Sequence, residues 1–394
     1  MIMEIRDLLK ILVLVAGESN LPFIQSAKDI GIYVITCDNN QSNPGHKIAD
    51  ENLFIDVYDH NTIIEAIKDK NIDGVMSFVS AHGLNSASII SEHYNLTGYT
   101  QTALKTLINK GLFRDFLSIN NLNCPGYQYI QNLDEIDLGQ LTYPLIIKPT
   151  DSGGSQGVVK INNEKDLVLN FETSKSFSDS QTVIIEEFIE GNELINGDCL
   201  IYNGEIIGNI VGNYIYDNET NNVLPIATVF PANYDVSEAL KQISDIVRKL
   251  EIPNGIINFE AIVKNNTPYI IEINPRPSGN YIWKLMGYKY SVDIPTILIN
   301  LYFNSDNQKN KPMIANNHSY AYQLIYSNKN KMFKGFETPS DLKSKVLEMN
   351  IFKEKNKYVP SFKNLHDRIG IVLLEFENKK QINHYINSTK LFKI

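Results

Sequence analysis

The chain has 394 residues, of which 43% are hydrophobic, and its formal net charge is −9 at neutral pH. Its length and apolar content are sufficient for two or three packed domains. Binding to a phosphate backbone requires a basic face, whereas the lysines and arginines here are dispersed or outnumbered, so nucleic acid is not an expected partner. The apolar run at residues 11–16 is far too short to span a membrane and no signal peptide precedes it. We therefore expect a cytoplasmic protein with no membrane partner.

Strand and helix patterns alternate over the N-terminal region. Apolar strands are predicted at residues 10–16, 31–37 and 73–78, and helices at residues 21–30 and 61–69. This alternation predicts a parallel sheet with both faces covered. The first turn, at residues 17–20, lacks the complete G-x-G-x-x-G fingerprint, so a dinucleotide site is not expected there.

The middle of the chain contains a short apolar strand that ends in a lysine and leads into a glycine-rich loop. The strand is predicted at residues 143–149 and includes Lys148, and the loop follows at residues 151–157. Backbone N–H groups of such a loop can cover phosphates, while the lysine supplies a point charge. A second apolar strand begins at residue 182 and is followed by acidic side chains, of which Glu186 suits the amino group of adenine and Glu193 suits ribose hydroxyls.

Two strands rich in Ile, Val, Phe and Tyr are predicted at residues 258–263 and 268–273, joined by a stretch with turn composition. Side chains of a strand alternate between its faces, so Glu272 and Asn274 point the same way. If the hairpin closes at that turn, Glu260 lies nearly opposite Glu272. Neighbouring carboxylates repel one another unless a cation lies between them. Magnesium bound to phosphates is the usual solution, because it takes few protein carboxylates.

A rigid cationic turn follows this hairpin directly. It contains Pro275, Arg276, Pro277 and Gly279. Arg276 can clamp a carboxylate or a phosphate with two parallel hydrogen bonds. A surface hairpin with scattered acidic residues is the alternative interpretation, and the turn argues against it.

The order and spacing of these elements resemble the ATP-grasp superfamily over about residues 10 to 300. The resemblance is to its carboxylate–amine ligase branch, which includes L-amino acid ligases, D-alanine–D-alanine ligase and purine-biosynthesis enzymes. It implies an α/β and α+β architecture with four parts. These are an N-terminal parallel-sheet domain (1–100), connector helices with a small lid (101–200), a central metal and substrate subdomain (201–305) and a small β-rich C-terminal cap (306–394). In the cap we expect strands at residues 319–326 and 369–375 and a helix near 379–389.

The resemblance also implies a role for particular residues. The lysines that hold the ATP phosphates would be Lys110 and Lys148. The loop that closes over ATP would contribute Gly153, Gly154, Ser155 and Gly157. The adenine segment would be Glu186, Glu187, Phe188 and Ile189, and the ribose would be bound by Glu193. The ligands of Mg²⁺ or Mn²⁺ would be Glu260, Glu272 and Asn274. The catalytic groups around the acyl phosphate would be Arg276, Ser278 and Gly279. Lys110 lies in a predicted helix with polar neighbours, where a solvated surface lysine is an equally simple interpretation.

The implied reaction is ATP-dependent formation of an amide. A carboxylate attacks the γ-phosphate of ATP to give an acyl phosphate and ADP, and an amine then attacks the acyl carbon and releases phosphate. We expect small-molecule substrates, with an amino acid or a sugar-linked carboxylate as the acid, and a possible homodimer. The substrate pocket is expected to draw on Tyr214, Tyr216, Tyr281 and Trp283. Two alternatives stay open, namely an ATP-grasp enzyme that uses bicarbonate or another small acid, and a non-catalytic ATP-binding regulatory protein.

Overall fold

The computed structural model describes residues 8–139, 141–191, 193–217, 224–303, 313–386 and 392–394. At its N-terminus four strands form a parallel sheet in the order β3-β2-β1-β4. They are β1 (Lys10–Leu14), β2 (Tyr33–Cys37), β3 (Glu51–Leu53) and β4 (Gly74–Met76), and the neighbouring helices are α1 (Leu21–Asp29), α2 (His60–Ile67) and α3 (Leu84–His93). Strands β1, β2 and β4 are buried along nearly their whole length, because their apolar residues face covering layers on both sides. The predicted parallel sheet is thus confirmed.

Two connector helices follow this sheet, as predicted. They are α4 (Gln101–Ile108) and α5 (Lys110–Ile119). The break falls at Asn109, whose extended backbone ends α4 and whose side chain accepts a hydrogen bond from the N–H of Leu112. The N–H of Lys110 donates to the carbonyl of Thr150 at 2.7 Å. The first residue of α5 is therefore fixed to the end of the lysine-bearing strand.

A small antiparallel sheet contains the glycine-rich loop. Its strands are β5 (Tyr127–Ile130), β6 (Leu145–Pro149), β7 (Val159–Ile161) and β8 (Val183–Glu187), in the order β5-β8-β6-β7. Helix α6 (Glu164–Lys175) covers one face, where Leu167 and Phe171 join the buried side chains of the strands. The loop connects β6 to β7, so the sheet holds both of its ends.

A large sheet of eight strands carries the predicted metal hairpin and most of the C-terminal segment. Its order is β13-β12-β9-β10-β11-β14-β18-β16. The strands are β9 (Glu193–Tyr202), β10 (Glu205–Tyr216), β11 (Pro225–Phe230), β12 (Asn254–Lys264), β13 (Thr267–Asn274), β14 (Ser319–Ile325), β16 (Val346–Ile351) and β18 (Gly370–Phe376); β15 (Lys331–Met332) and β17 (Tyr358–Val359) form a separate pair. The helices of this region are α7 (Ser237–Lys249), α8 (Ile282–Tyr290), α9 (Ile294–Tyr302) and α10 (Lys379–Ile386).

The strand pairing bears on the proposed division of the chain. Strand β9 pairs with β10 and β12, so residues 193–202 belong to the large sheet and not to the small one. We therefore propose a boundary between β8 and β9 instead of one at residue 200. The C-terminal segment extends the same large sheet through β14, β18 and β16. Its last helix, α10, was predicted to continue to residue 389, and the final part of that prediction lies outside the described residues.

Helices α8 and α9 pack between the N-terminal sheet and the large sheet. One hydrophobic core contains Ile11 and Val13 of β1, Leu285 of α8, Leu298 of α9 and Leu373 of β18. The N-terminal domain and the large sheet therefore share a core. None of the helices in the described ranges has the length and apolarity that crossing a membrane would require.

We expect Phe259→Ala to destabilise the protein by about 3–5 kcal/mol, because it removes a fully buried aromatic ring from β12 and leaves a cavity. Urea unfolding followed by tryptophan fluorescence measures the change. Phe54→Ala is the matched control, since Phe54 is half exposed and the same substitution there should have a much smaller effect. Equal unfolding midpoints for the two variants would contradict the packing described for β12.

Candidate active site

A cleft of about 510 Å³ lies where the small sheet, the large sheet and the N-terminal domain meet. Ten of the residues singled out from the sequence line it: Lys110, Gly153, Gly154, Ser155, Glu260, Glu272, Asn274, Arg276, Ser278 and Gly279. The N-terminal domain contributes Tyr58 and His82, whose hydroxyl and ring nitrogen are hydrogen-bonded to each other. Residues that are far apart in the chain are thus brought to one cavity, which is a common location for ligands in multidomain proteins.

Two carboxylates face one another at the base of the cleft. Strands β12 and β13 pair so that Glu260 and Glu272 are direct partners, and Asn258 is the partner of Asn274. Burial, together with the negative charge of Glu272, raises the pKa of Glu260 to about 7. One oxygen of each carboxylate is held by the protein, since Tyr214 donates to Glu260 Oε1 at 2.6 Å and Asn274 donates to Glu272 Oε1 at 3.1 Å. Close carboxylates with oxygen donors around them fit a hard divalent cation such as Mg²⁺.

A buried ion triad connects the small sheet to the metal hairpin. Glu186 on β8 accepts from Lys148 Nζ at 2.7 Å and pairs with Arg114 Nε at 2.9 Å. The guanidinium of Arg114 also donates to the backbone carbonyl of Ile271 on β13 at 2.9 Å. Burial alone would raise the pKa of Glu186, but the charges of Arg114 and Lys148 outweigh burial and hold that pKa below its ordinary value. Burial lowers the pKa of Lys148, although Glu186 opposes the shift.

This triad changes what Glu186 offers to a nucleotide. Its carboxylate is engaged by two cations and does not line the cleft, so the adenine contact first suggested for this side chain is not available in this arrangement. Recognition of adenine through the main chain of residues 186–189 stays a prediction. Arg114 was not singled out from the sequence. The available signal was its position four residues after Lys110, on one face of α5.

The glycine-rich loop is anchored at both ends, and its middle faces open space. Asp151 accepts hydrogen bonds from Ser178 Oγ and from the N–H of Ser180, at 2.6 and 2.9 Å. A side chain at Gly153 or Gly154 would meet no other atom within 4 Å, whereas one at Gly157 would collide with Phe177. The exposed part of the loop can therefore approach phosphates with its backbone.

Lys110 is buried against this loop. Only 9% of the residue is exposed, and its Nζ donates to the carbonyl of Ser152 at 2.5 Å. The alternative interpretation of Lys110 as a solvated surface lysine is therefore wrong. Its contact with ATP phosphates stays a prediction.

A buried aspartate holds the turn after β13 through hydrogen bonds. Asp198 Oδ2 accepts from the N–H and the Oγ of Ser278, and its Oδ1 accepts from Asn258 at 3.0 Å. The same Ser278 Oγ accepts from the N–H of Ile282, which begins α8. Burial raises the pKa of Asp198 to about 7, while these hydrogen bonds and the charge of Arg276 act in the opposite direction. Asp198 was not singled out from the sequence, because its partners Asn258 and Ser278 lie 60 and 80 residues away in the chain.

The remaining predicted residues are not part of the cleft lining. Glu193 accepts from Asn213 at 2.7 Å, Glu187 lies 3.6 Å from Lys264, and Phe188 lies beneath the ammonium group of Lys160 at 3.8 Å. Ile189 is buried. Their contacts with adenine and ribose stay predictions.

Of the four aromatic residues expected in the substrate pocket, only Tyr214 is part of the cleft lining, whereas Tyr216, Tyr281 and Trp283 are not. Trp283 packs edge-to-face on Phe78 in the core, with ring centroids 5.0 Å apart, and does not line the cleft. Its position on the inward side of α8 accounts for this. Tyr214 lines the cleft, and the ring of Tyr216 packs against the ring of Tyr214.

Part of the chain matches a known protein family. A family model described as an ATP-grasp domain matches residues 108–280. The chain contains an ATP-grasp domain over these residues. The match confirms the resemblance and the fold class predicted from the sequence, and it supports ATP, with Mg²⁺, as the cofactor. The domain match and the relatives named below support the predicted ATP-dependent ligase that forms C–N bonds and acts on small molecules.

The chain is similar to two sets of known proteins. Among curated proteins, the chain is 26% identical to a formate-dependent phosphoribosylglycinamide formyltransferase of Prochlorococcus marinus subsp. pastoris, over 68% of this chain and 70% of the relative. It is 25% identical to the enzyme of the same name from Wolinella succinogenes, over 72% of this chain and 74% of the relative. Among solved structures, an L-amino acid ligase from Bacillus licheniformis aligns with a TM-score of 0.80 and 17% identity, over 97% of each chain. A phosphoribosylglycinamide synthetase from Anaerococcus prevotii aligns with a TM-score of 0.76 and 22% identity, over 97% of this chain and 98% of the other.

The stability of this ATP-grasp protein should depend on the ionisation of Asp198. Because folding raises its pKa from 3.8 to about 7, the folded state favours the neutral carboxyl, and stability is lost as the pH rises through this range. We expect the wild type to lose stability relative to the D198N variant, which cannot ionise there, by up to about 1.4 kcal/mol per pH unit. Urea unfolding of both proteins between about pH 4 and pH 7 measures the difference. A difference that does not change with pH would contradict the burial described for this carboxyl.

Proposed function

We propose that this enzyme joins a carboxylate to an amine through an acyl phosphate, with release of ADP and phosphate. The observation that carries the proposal is that the paired carboxylates, the glycine-rich loop and the Arg276 turn line one cleft. This combination suits a phosphoryl transfer, because catalysis consists mainly of aligning the reactants and neutralising the charge that develops.

The nucleotide would lie between the small sheet and the large sheet. Backbone N–H groups of Gly153 and Gly154 would hold its phosphates, and Lys110 and Lys148 would supply positive charge. For Lys148 this requires that it share its ammonium group between Glu186 and a phosphate, since the two side chains are 2.7 Å apart. Glu260, Glu272 and Asn274 would hold Mg²⁺, which when bound neutralises phosphate charge.

The acid substrate would be oriented by the turn after β13. The Arg276 side chain is largely buried, its Nη1 donates to the carbonyl of Pro277 at 2.8 Å, and its Nε has no hydrogen-bond partner among the described residues. Such a guanidinium retains donors for a carboxylate. After the phosphoryl group is transferred, Arg276 and the backbone at Gly279 would stabilise the charge on the acyl oxygen as the amine attacks. A closed loop over the cleft would exclude water that otherwise hydrolyses the acyl phosphate.

For the acid we propose an amino acid or a sugar-linked carboxylate. The structural likeness to an L-amino acid ligase over nearly the whole chain is consistent with this class. A small acid is the second candidate, and the names of the relatives that use formate favour it. A regulatory protein with a disabled site would not need both carboxylates, the lysines and the arginine together.

We expect ADP and phosphate release to require a particular pair of carboxylate and amine. The purified protein is incubated with Mg-ATP and a panel of amino acids, sugar-linked carboxylates and formate, each with and without amines. The E272Q variant should release ADP at least about a hundredfold more slowly, because it lacks one of the negative charges that bind the cation. E205Q is the matched control, since Glu205 is exposed at the start of β10.

Two results would count against the proposal. If E272Q releases ADP at the rate of the control, the carboxylate pair does not have the proposed role in binding the metal ion. Tight binding of ATP without release of ADP for any pair would favour the regulatory alternative.

A further inference from the structure

Four side chains from four neighbouring strands form a row across the base of the cleft. The row runs from Tyr214 on β10 through Asn196 on β9 and Glu260 on β12 to Glu272 on β13. Asn196 and Glu272 are the direct strand partners of Glu260 on its two sides. Adjacent strands lie about 4.8 Å apart, so only a long side chain on β10 can reach across β9 to Glu260. Tyr214 does so, and its hydroxyl is 2.6 Å from Glu260 Oε1.

The direction of this hydrogen bond is fixed by Asn196. Its Nδ2 donates to the hydroxyl oxygen of Tyr214 at 2.9 Å. A tyrosine hydroxyl has a single proton, and Asn196 occupies its oxygen as a donor. The proton of Tyr214 is therefore directed at Glu260, and the carboxylate group is held at Oε1.

Holding one oxygen determines where the other one lies. Since Oε1 of Glu260 is bound by Tyr214, the second oxygen is the one that can face the cleft and Glu272. One oxygen of Glu272 is held as well, because Asn274 donates a hydrogen bond to its Oε1. The two carboxylates are thereby presented to a cation with one oxygen each already engaged by the protein.

Tyr214 has little freedom to leave this position. It is packed edge-to-face against Tyr216, with ring centroids 6.2 Å apart, and its strand pairs with β9 on one side and β11 on the other. A tyrosine hydroxyl is protonated at neutral pH, so Tyr214 is available as a hydrogen-bond donor. A neutral tyrosine that always donates is suited to orienting a carboxylate.

We infer that Tyr214 is a positioning residue that orients Glu260 for the metal ion. The inference rests on the proposed metal role of Glu260 and Glu272, and it adds a residue outside the set of metal ligands. A purely structural role is the alternative, because a buried tyrosine hydroxyl normally has a hydrogen-bond partner whatever its function. The two roles differ in what the loss of the hydroxyl changes: metal affinity in the first, and only stability in the second.

The test is the Y214F variant, which keeps the ring and removes only the hydroxyl. Binding of Mn²⁺ is measured by electron paramagnetic resonance in the presence of a non-hydrolysable ATP analogue, and binding of the analogue alone is measured by calorimetry without metal. We expect Mn²⁺ to bind about 10- to 100-fold more weakly, as for the loss of other groups that orient metal ligands. Affinity for the analogue without metal should not change.

Y234F is the matched control, because Tyr234 lies outside the hairpin and contacts its turn. The hydroxyl of Tyr234 donates to the carbonyl of Asn266 at the turn between β12 and β13, at 2.8 Å, and Tyr234 is not part of the cleft lining. Its loss should leave Mn²⁺ affinity unchanged. A similar loss of affinity in Y234F would show that a weakened hairpin, and not the orientation of Glu260, is responsible, and it would overturn the inference.

A third variant separates this inference from the proposed function. If E260Q loses Mn²⁺ binding and Y214F binds Mn²⁺ like the wild type, the metal site stands and the role of Tyr214 is wrong, even if Y214F melts at a lower temperature. If E260Q itself binds Mn²⁺ like the wild type, the proposed metal site is wrong and the inference about Tyr214 is overturned with it.

Discussion

The repulsion between Glu260 and Glu272 is the constraint around which the site is arranged. Antiparallel pairing of β12 and β13 makes them direct neighbours, so the hairpin cannot form without bringing two carboxylates together. Without a cation, burial and the negative charge of Glu272 together favour retention of a proton, and the pKa of Glu260 rises to about 7. A divalent cation bound to phosphates relieves the same repulsion. The fold thus favours binding of a positive charge at the point where the nucleotide phosphates are expected.

Other buried charges fix the walls of the cleft relative to this pair. Arg114 links Glu186 of the small sheet to a carbonyl of β13, and Asp198 links β9 to the turn that carries Arg276 and Ser278. Removing one partner of a buried ion pair leaves an uncompensated charge, which is strongly destabilising. These contacts therefore hold the lysine-bearing strand, the metal hairpin and the Arg276 turn in one arrangement, as alignment of ATP with an acid substrate requires.

The sequence predicted the elements whose signals are local. The hairpin, the glycine-rich loop and the alternating N-terminal region each follow from periodicity and turn composition within short windows, and the structure contains all three. Arg114, Asp198 and the contact of Tyr214 with Glu260 were not predictable in this way, because their partners lie 72, 80 and 46 residues away in the chain. Trp283 illustrates the opposite error: an aromatic residue close to a predicted site was assigned to the pocket, yet helix α8 turns it into the core.

The central claim is that a carboxylate takes the γ-phosphoryl group from ATP before the amine attacks. It is tested most directly with an acid labelled with ¹⁸O in its carboxylate, using a pair of substrates that supports ADP release. The acyl phosphate route transfers one labelled oxygen to the inorganic phosphate, which mass spectrometry detects. Phosphate that carries label in step with product formation is the result we expect. Phosphate without label, while the amide is formed and ADP is released, would contradict the acyl phosphate mechanism.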